Sequence, residues 1–139
     1  MIDTEYDYKL VVYGSPRATS AGGFVRVYDD PNSAKEKRKL AVVIQEQAPK
    51  RLLDCPLRVD LYFYLPRPKG HYGTGKNAGR LKVLAPINHT KKPDIDNLRK
   101  LITDAMTGIF WRDDSIICEG TTKKIYSDRP RTEIFIKIL

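Results

Sequence analysis

Six residues in the C-terminal half of the chain have the types and spacing to do chemistry: Asp94, Asp96, Lys100, Asp104, Asp113 and Asp114. The first two sit in the run Lys91-Lys92-Pro93-Asp94-Ile95-Asp96-Asn97-Leu98-Arg99-Lys100. Pro93 disfavours helix at Lys92, so an extended lead-in precedes a helix. Carboxylates two residues apart share a side of extended chain and converge at the helix start. Lys100 lies one turn after Asp96 on the same helix face, and Asp104 continues that face. Helix capping by Asp94 or Asp96, worth about 1 kcal/mol, explains one aspartate. A hard cation explains both, because Mg2+ takes one or two carboxylates together with waters and phosphate oxygens. Two such ions would clamp the attacking and leaving oxygens of a phosphodiester. Asp113-Asp114 follows Trp111-Arg112 across one helix and a turn, and reads either as a plain polar turn or as further ligands folded back toward the first pair. Lys100 serves either to neutralise phosphate charge and place a water, or as a surface partner of Asp96 or Asp104.

The surrounding charge favours an anionic partner. The 139 residues carry 25 Lys+Arg against 17 Asp+Glu, a net charge of +8. From Leu61 to Pro93 no Asp or Glu occurs, whereas Arg67, Lys69, Lys76, Arg80, Lys82, Lys91 and Lys92 all fall there. Interleaved with Gly70, Gly73, Gly75, Gly79, His71 and Tyr72, they form a Gly-rich basic loop over about residues 66–92, expected to be exposed and mobile. Such a loop is either a solvated linker or a tracker of nucleic-acid phosphates, with Tyr72 placed to stack or wedge. It lacks the apolar bulk of an interfacial helix, which disfavours a membrane surface. Gly70-His71-Tyr72-Gly73-Thr74-Gly75-Lys76-Asn77 nearly spells a nucleotide-binding P-loop. Asn77 stands where a hydroxyl would ligate Mg2+, and no helical run follows, so no nucleotide cofactor is expected.

The elements that must position these groups are legible from periodicity. Tyr8–Tyr13 reads as a strand ending at Gly14-Ser15-Pro16, and Phe24–Tyr28 as a second short one. Ser33 and Glu36 have capping-box spacing, which starts a helix running to about Ala48 with Lys35, Lys37, Arg38 and Lys39 on a solvated face. Leu57, Val59, Leu61, Phe63 and Leu65 alternate strictly with polar or aromatic residues. Ile95, Leu98, Ile102 and Ala105 have helical spacing that stops at Gly108. Ser115–Ile125 and Arg131–Leu139 read as two closing strands. The order is ββαβ-loop-αββ, an α/β (α+β-like) domain with a mixed sheet of about five strands and two helices. Phe110 and Trp111 read as core anchors of the turn carrying Asp113 and Asp114. Cys118 reads as a small core residue, and His89 as a surface histidine, with a contact to DNA or metal as the other reading.

Length and composition set the remaining bounds. A single domain over residues 1–139 is expected. No apolar run of about 18 residues spans a membrane. The start Met1-Ile2-Asp3-Thr4-Glu5 lacks a basic-then-apolar signal pattern, and Cys55 and Cys118 lack Cys-x-x-Cys spacing. A cytoplasmic location, in a bacterial cell or a phage-infected host, is therefore expected.

At Lys92-Pro93-Asp94-Ile95-Asp96-Asn97-Leu98, Lys100, Asp104-Ala105 and Trp111-Arg112-Asp113-Asp114 the sequence resembles the RusA family of Holliday junction resolvases. The segment from Lys123-Lys124 to Pro130-Arg131-Thr132-Glu133-Ile134 is similar to that family's final hairpin, and the loop around His71–Asn77 resembles phage and prophage members. The resemblance implies a homodimeric, Mg2+-dependent endonuclease, with Mn2+ able to substitute. Such an enzyme binds four-way DNA junctions and nicks two strands of like polarity symmetrically, in recombination and repair. It puts Asp94 and Asp96 at the first two metal-ligand positions and Lys100 at the catalytic lysine. Asp114 falls at the third carboxylate position, with Asp113 beside it as the other candidate, because the link from the helix to Trp111 is about one residue shorter than in the best-known bacterial member. The phosphate-tracking reading of the basic loop, rather than the resemblance, puts the DNA contacts at Arg67, Lys69, Tyr72, Lys76, Arg80, Lys82, Lys91 and Lys92. Two other classes remain open: a non-catalytic DNA-binding module whose aspartates only cap a helix, and a nuclease acting on flaps, forks or RNA.

Overall fold

Strict alternation makes the central strand. In the computed structural model, which describes residues 5–16 and 31–139, Leu57, Val59, Leu61, Phe63 and Leu65 all point into one core from β2 (Leu57–Pro66). The other described elements are β1 (Tyr8–Tyr13), α1 (Pro31–Glu46), α2 (Ile95–Met106), β3 (Ile117–Glu119), β4 (Thr122–Ser127) and β5 (Arg131–Ile138). β5 pairs antiparallel with both β1 and β2, and β3 and β4 both pair parallel with β2. The result is a mixed five-stranded sheet with two helices, as the periodicity predicts.

Two details of order differ. The strand expected over Phe24–Tyr28, together with the Ser33–Glu36 capping box, lies outside the residues and side chains described. The single strand expected over Ser115–Ile125 is broken in two. A Cβ at Gly120 would stand 1.8 Å from the Val59 carbonyl oxygen, so the chain passes β2 too closely for any side chain there. The break lets β3 and β4 dock at different places along β2.

One face of the sheet carries the core. Leu40 and Ile44 of α1, Leu98, Ile102 and Met106 of α2, and Leu10, Val12, Ile134 and Ile136 of β1 and β5 close over β2. Burial of each such side chain contributes about 1.5–3 kcal/mol. Phe110 and Trp111 are fully buried, as expected of anchors, and the Trp111 indole N–H donates to Thr107 Oγ1 at 3.1 Å. Gly108 N–H then donates to the Trp111 carbonyl at 2.7 Å, which closes the turn after α2 and fixes where residues 112–114 emerge. Cys118 corrects the sequence reading: it is exposed, in a strand of three residues that ends one residue later.

On the opposite face Asp60 is buried. It accepts from Tyr6 Oη at 2.6 Å, Thr121 N at 2.7 Å and Arg58 Nε at 3.0 Å. Burial alone would raise its carboxyl, but the Tyr6, Thr121 and Arg58 donors outweigh that and leave it below the ordinary carboxylate value.

Candidate active site

α2 is built with two stripes. Leu98, Ile102 and Met106 face the core, while Asp96, Arg99, Lys100 and Thr103 fall at the i, i+3, i+4, i+7 spacing of another face. That second face meets the 3-10 turn Asp114–Ile116 and the start of β3. Asp96, Arg99, Lys100, Thr103, Asp114 and Ile117 line one cleft of about 420 Å3. The fold-back of the second acidic pair therefore occurs: Asp114 comes to the same cleft as Asp96 and Lys100, from a different part of the chain.

The two neighbouring aspartates of the turn are used differently. Asp113 is the N-cap of the 3-10 turn, and its Oδ1 accepts from Ser115 N at 3.0 Å. The Ser115 amide, and then a hydrogen bond with Asp114, hold the Asp113 carboxyl below its usual value. Asp113 thus has structural work, and Asp114 is the one that lines the cleft.

At the helix start the capping expectation is not met. Asp94 has the extended backbone of an N-cap residue, yet its side chain makes no capping hydrogen bond. It precedes the helix and stands outside the cleft lining, while Asp96 sits in the first helical turn. The lead-in is held instead by Lys124 of β4, whose Nζ donates to the carbonyls of Lys91 at 2.7 Å and Pro93 at 2.8 Å. The Lys92–Pro93 peptide is cis. Arg99 ties the helix to β4 through a 2.7 Å bond from Nη1 to Thr122 Oγ1. Sequence reading missed both Lys124 and Arg99. Arg99 was findable from the i, i+3, i+4, i+7 polar stripe; Lys124 was marked only by its inward position in β4. Asp104 leaves the cleft face and lines a groove with α1 beside Lys37 and Leu40.

Among the described residues no three of His, Cys, Asp and Glu form a ready-made metal cage. The donors at hand are carboxylate oxygens, the chemistry of Mg2+ or Mn2+ rather than of a softer ion. Asp96 has no ion partner among the described residues, which leaves its oxygens available.

The basic loop has more internal structure than expected. Residues 69–71 and 75–77 make 3-10 turns, and Tyr72 pairs with Leu81 across a short antiparallel bridge. A Cβ at Gly73 would stand 2.6 Å from Asn77 Cβ, so the tight return needs glycine. Further on, Tyr126 N donates to the Ile87 carbonyl at 2.9 Å and His89 N to the Lys124 carbonyl at 3.2 Å, which lays the loop along the edge of β4. The loop thus ends beside the start of α2.

Its side chains divide in the same way as the aspartates. Lys69, Lys76, Arg80, Lys82, Lys91 and Lys92 are exposed. Arg67 is engaged internally, donating to the Pro86 carbonyl at 2.7 Å and lying 5.4 Å from the Tyr126 ring centre. Tyr72 is half-buried at the base of the bridge. The loop also presents apolar side chains, most openly Val83 and Leu84 at 98% and 94% exposed, with Ile87 and Leu81 less so. His89 is not a surface histidine: it packs 4.8 Å from Tyr126, and burial followed by the Lys124 charge keeps its pKa below the usual value.

A cleft with carboxylates and a lysine on facing walls, beside a loop of exposed cations, is the layout of a protein that handles phosphodiesters. The chain matches the family model of the endodeoxyribonuclease RusA over residues 7–137, and it belongs to that family. It is also similar to the uncharacterized protein YqaN of Bacillus subtilis (strain 168), with 31% identity over 129 residues, 91% of this chain and 89% of that protein. Membership makes the chain a nuclease of DNA. No described helix is long and apolar enough to cross a membrane.

Proposed function

We propose that the protein is a Mg2+-dependent, structure-specific endodeoxyribonuclease that resolves Holliday junctions by paired symmetric nicks. The observation that carries this reading is the convergence of Asp96, Lys100 and Asp114 on one cleft. Asp96 and Asp114 would hold the metal, and Asp94, in the helix lead-in outside the cleft lining, is the third carboxylate that could reach it. The ion, when bound, supplies charge for the phosphoryl group and makes water a better nucleophile at neutral pH. The positions of these carboxylates are fixed by α2 and by the Asp113-capped turn. Lys100 lines the cleft and would neutralise charge growing on a phosphate oxygen. Water would add to phosphorus as the bond from phosphorus to one ester oxygen breaks; the water gives up a proton to solvent and the departing oxygen takes one up as a hydroxyl, leaving a nick.

The exposed loop cations track the flanking phosphates, releasing counterions from the DNA. A two-fold homodimer brings two copies of the cleft to strands of like polarity, which a junction presents in pairs.

The test is cleavage of a synthetic four-way junction in Mg2+ or Mn2+, in chelator, and with Asp96→Asn, using linear duplex and flap controls. Symmetric nicks in the junction alone, lost with chelator or mutation, are expected. Tight binding without cutting in either metal overturns the catalytic reading in favour of a binding module. Preferential cutting of the flap overturns the junction assignment.

A further inference from the structure

Among the charged groups of the α2 cleft, Arg99 has a role that the reading above does not use. It lines the same cleft as Asp96, Lys100 and Asp114. It also lines an adjoining cleft of about 440 Å3 with Asp96, Glu119 and Thr122. It therefore stands where the two clefts join. Its guanidinium has five N–H donors. The hydrogen bond from Nη1 to Thr122 Oγ1, at 2.7 Å, fixes the head group against β4. Asp96 is three residues away on the same helix face, yet no ion pair within 4.0 Å joins it to Arg99 among the described residues. Arg99 is half-buried, its head group is anchored on one nitrogen, and no ion pair among the described residues consumes it.

That combination suits a doubly acceptor-bearing anion. A planar guanidinium grips two phosphate oxygens at once, which a lysine ammonium cannot do. We propose that Arg99 is a substrate-contacting residue that grips a phosphate of the strand being cut, with Thr122 as its positioning residue. Lys100, one residue on, serves the same phosphodiester as a point charge. Holding the backbone from the α2 side sets the scissile phosphate against Asp96 and Asp114. This inference rests on the endonuclease reading of the cleft.

Junction binding in chelator, its salt dependence, and cleavage kinetics in Mg2+ are measured for Arg99→Gln, Arg99→Lys and Thr122→Val, with Asp96→Asn as the control. Loss of a bidentate charge-assisted contact predicts about 10- to 100-fold lower kcat/KM for Arg99→Gln. The slope of log affinity against log salt falls by about 1. Arg99→Lys keeps the slope, because the charge stays, but recovers only part of the rate. Thr122→Val keeps the slope and lowers the rate through misplacement of the head group. If Arg99→Gln cleaves normally while Asp96→Asn is dead, the cleft reading stands and the role of Arg99 falls. The role also falls if Arg99→Gln lowers activity only in proportion to lost thermal stability, with its salt slope unchanged. If Asp96→Asn itself cleaves normally, the cleft reading fails first.

Discussion

Asp60 lies buried on the sheet face away from the helices, whereas Asp96 lies exposed on the wall of the α2 cleft. The two carboxylates are chemically the same and are handled in opposite ways. Asp60 accepts hydrogen bonds from Tyr6, Thr121 and Arg58, which cross-link the N-terminal segment, β2 and the break between β3 and β4. Asp96 has no ion partner among the described residues, although Arg99 and Lys100 are near on its own helix. A charge whose donors are all supplied by the chain is a structural part. A charge left without them, in company with others, is held ready for something from outside. The same division runs between Asp113 and Asp114, and between Arg67 and the other loop cations.

The adjacent pair offers the sharpest test of this division, and the largest expected effect. Asp114→Asn should lower junction cleavage by about 100- to 1,000-fold or more, in the range seen when a site loses one transition-state electrostatic contact. Thermal stability should barely change, since Asp114 is exposed. Asp113→Asn keeps an oxygen for Ser115 N, so cleavage should persist. Steady-state cleavage and a melting curve on both variants decide it. Equal loss in the two would erase the distinction between the cap and the cleft residue.

The loop cations come next. Replacing Lys69, Lys76, Arg80 and Lys82 by Gln should reduce the log–log salt slope of junction binding by about 3–4, if each meets one phosphate. Replacing Arg67 should instead loosen the packing on Tyr126 and lower stability, because its donors are already engaged. Fluorescence anisotropy across a salt series, beside melting curves, separates the two. An unchanged slope in the fourfold variant would return the loop to a solvated linker.

How much of this was legible in the sequence follows from the range of each interaction. Alternation in β2 and the apolar stripe of α2 are local, and both elements appear where their periods place them. The Asp96–Lys100 spacing is also local, so half of the cleft could be read directly. Asp114 reaches that cleft only through docking of the chain beside α2, which spacing suggests but does not fix. The Lys124 clamp on Pro93 spans 31 residues, and the Tyr6 and Thr121 bonds to Asp60 span 54 and 61. None leaves a periodic mark. Gly120 looks like any strand glycine until β2 is placed against it. Glycine and lysine dominate the loop's composition and predict mobility; its order comes from backbone pairing, which composition does not encode.

The buried end of the comparison is tested by pH and by substitution, with smaller effects. Asp60→Ala removes the acceptor of three elements and should cost about 2–4 kcal/mol of stability, while the cleft residues stay in place. Tyr6→Phe removes one charge-assisted hydrogen bond and should cost about 1–2 kcal/mol. The hydrogen bond to Asp60, then burial, pushes the Tyr6 hydroxyl up to about 12. The folded state therefore holds this proton more tightly than the unfolded chain, whose tyrosine titrates near about 10. The resulting stability is fully present below about pH 10 and is lost as pH climbs toward the folded value. The Asp60 carboxyl is lowered, so its contribution is present above about pH 4 and fades as pH falls through its folded value. Denaturant midpoints from pH 3 to 11 should show both limbs in the wild type. In Tyr6→Phe the part of the alkaline fall that belongs to this hydroxyl should vanish, while the acid limb persists in weakened form because Thr121 and Arg58 still donate to Asp60. An unaltered alkaline limb would mean that Tyr6 ionises as freely in the fold as in water, and that Asp60 is held by β2 and Thr121 without the N-terminal segment.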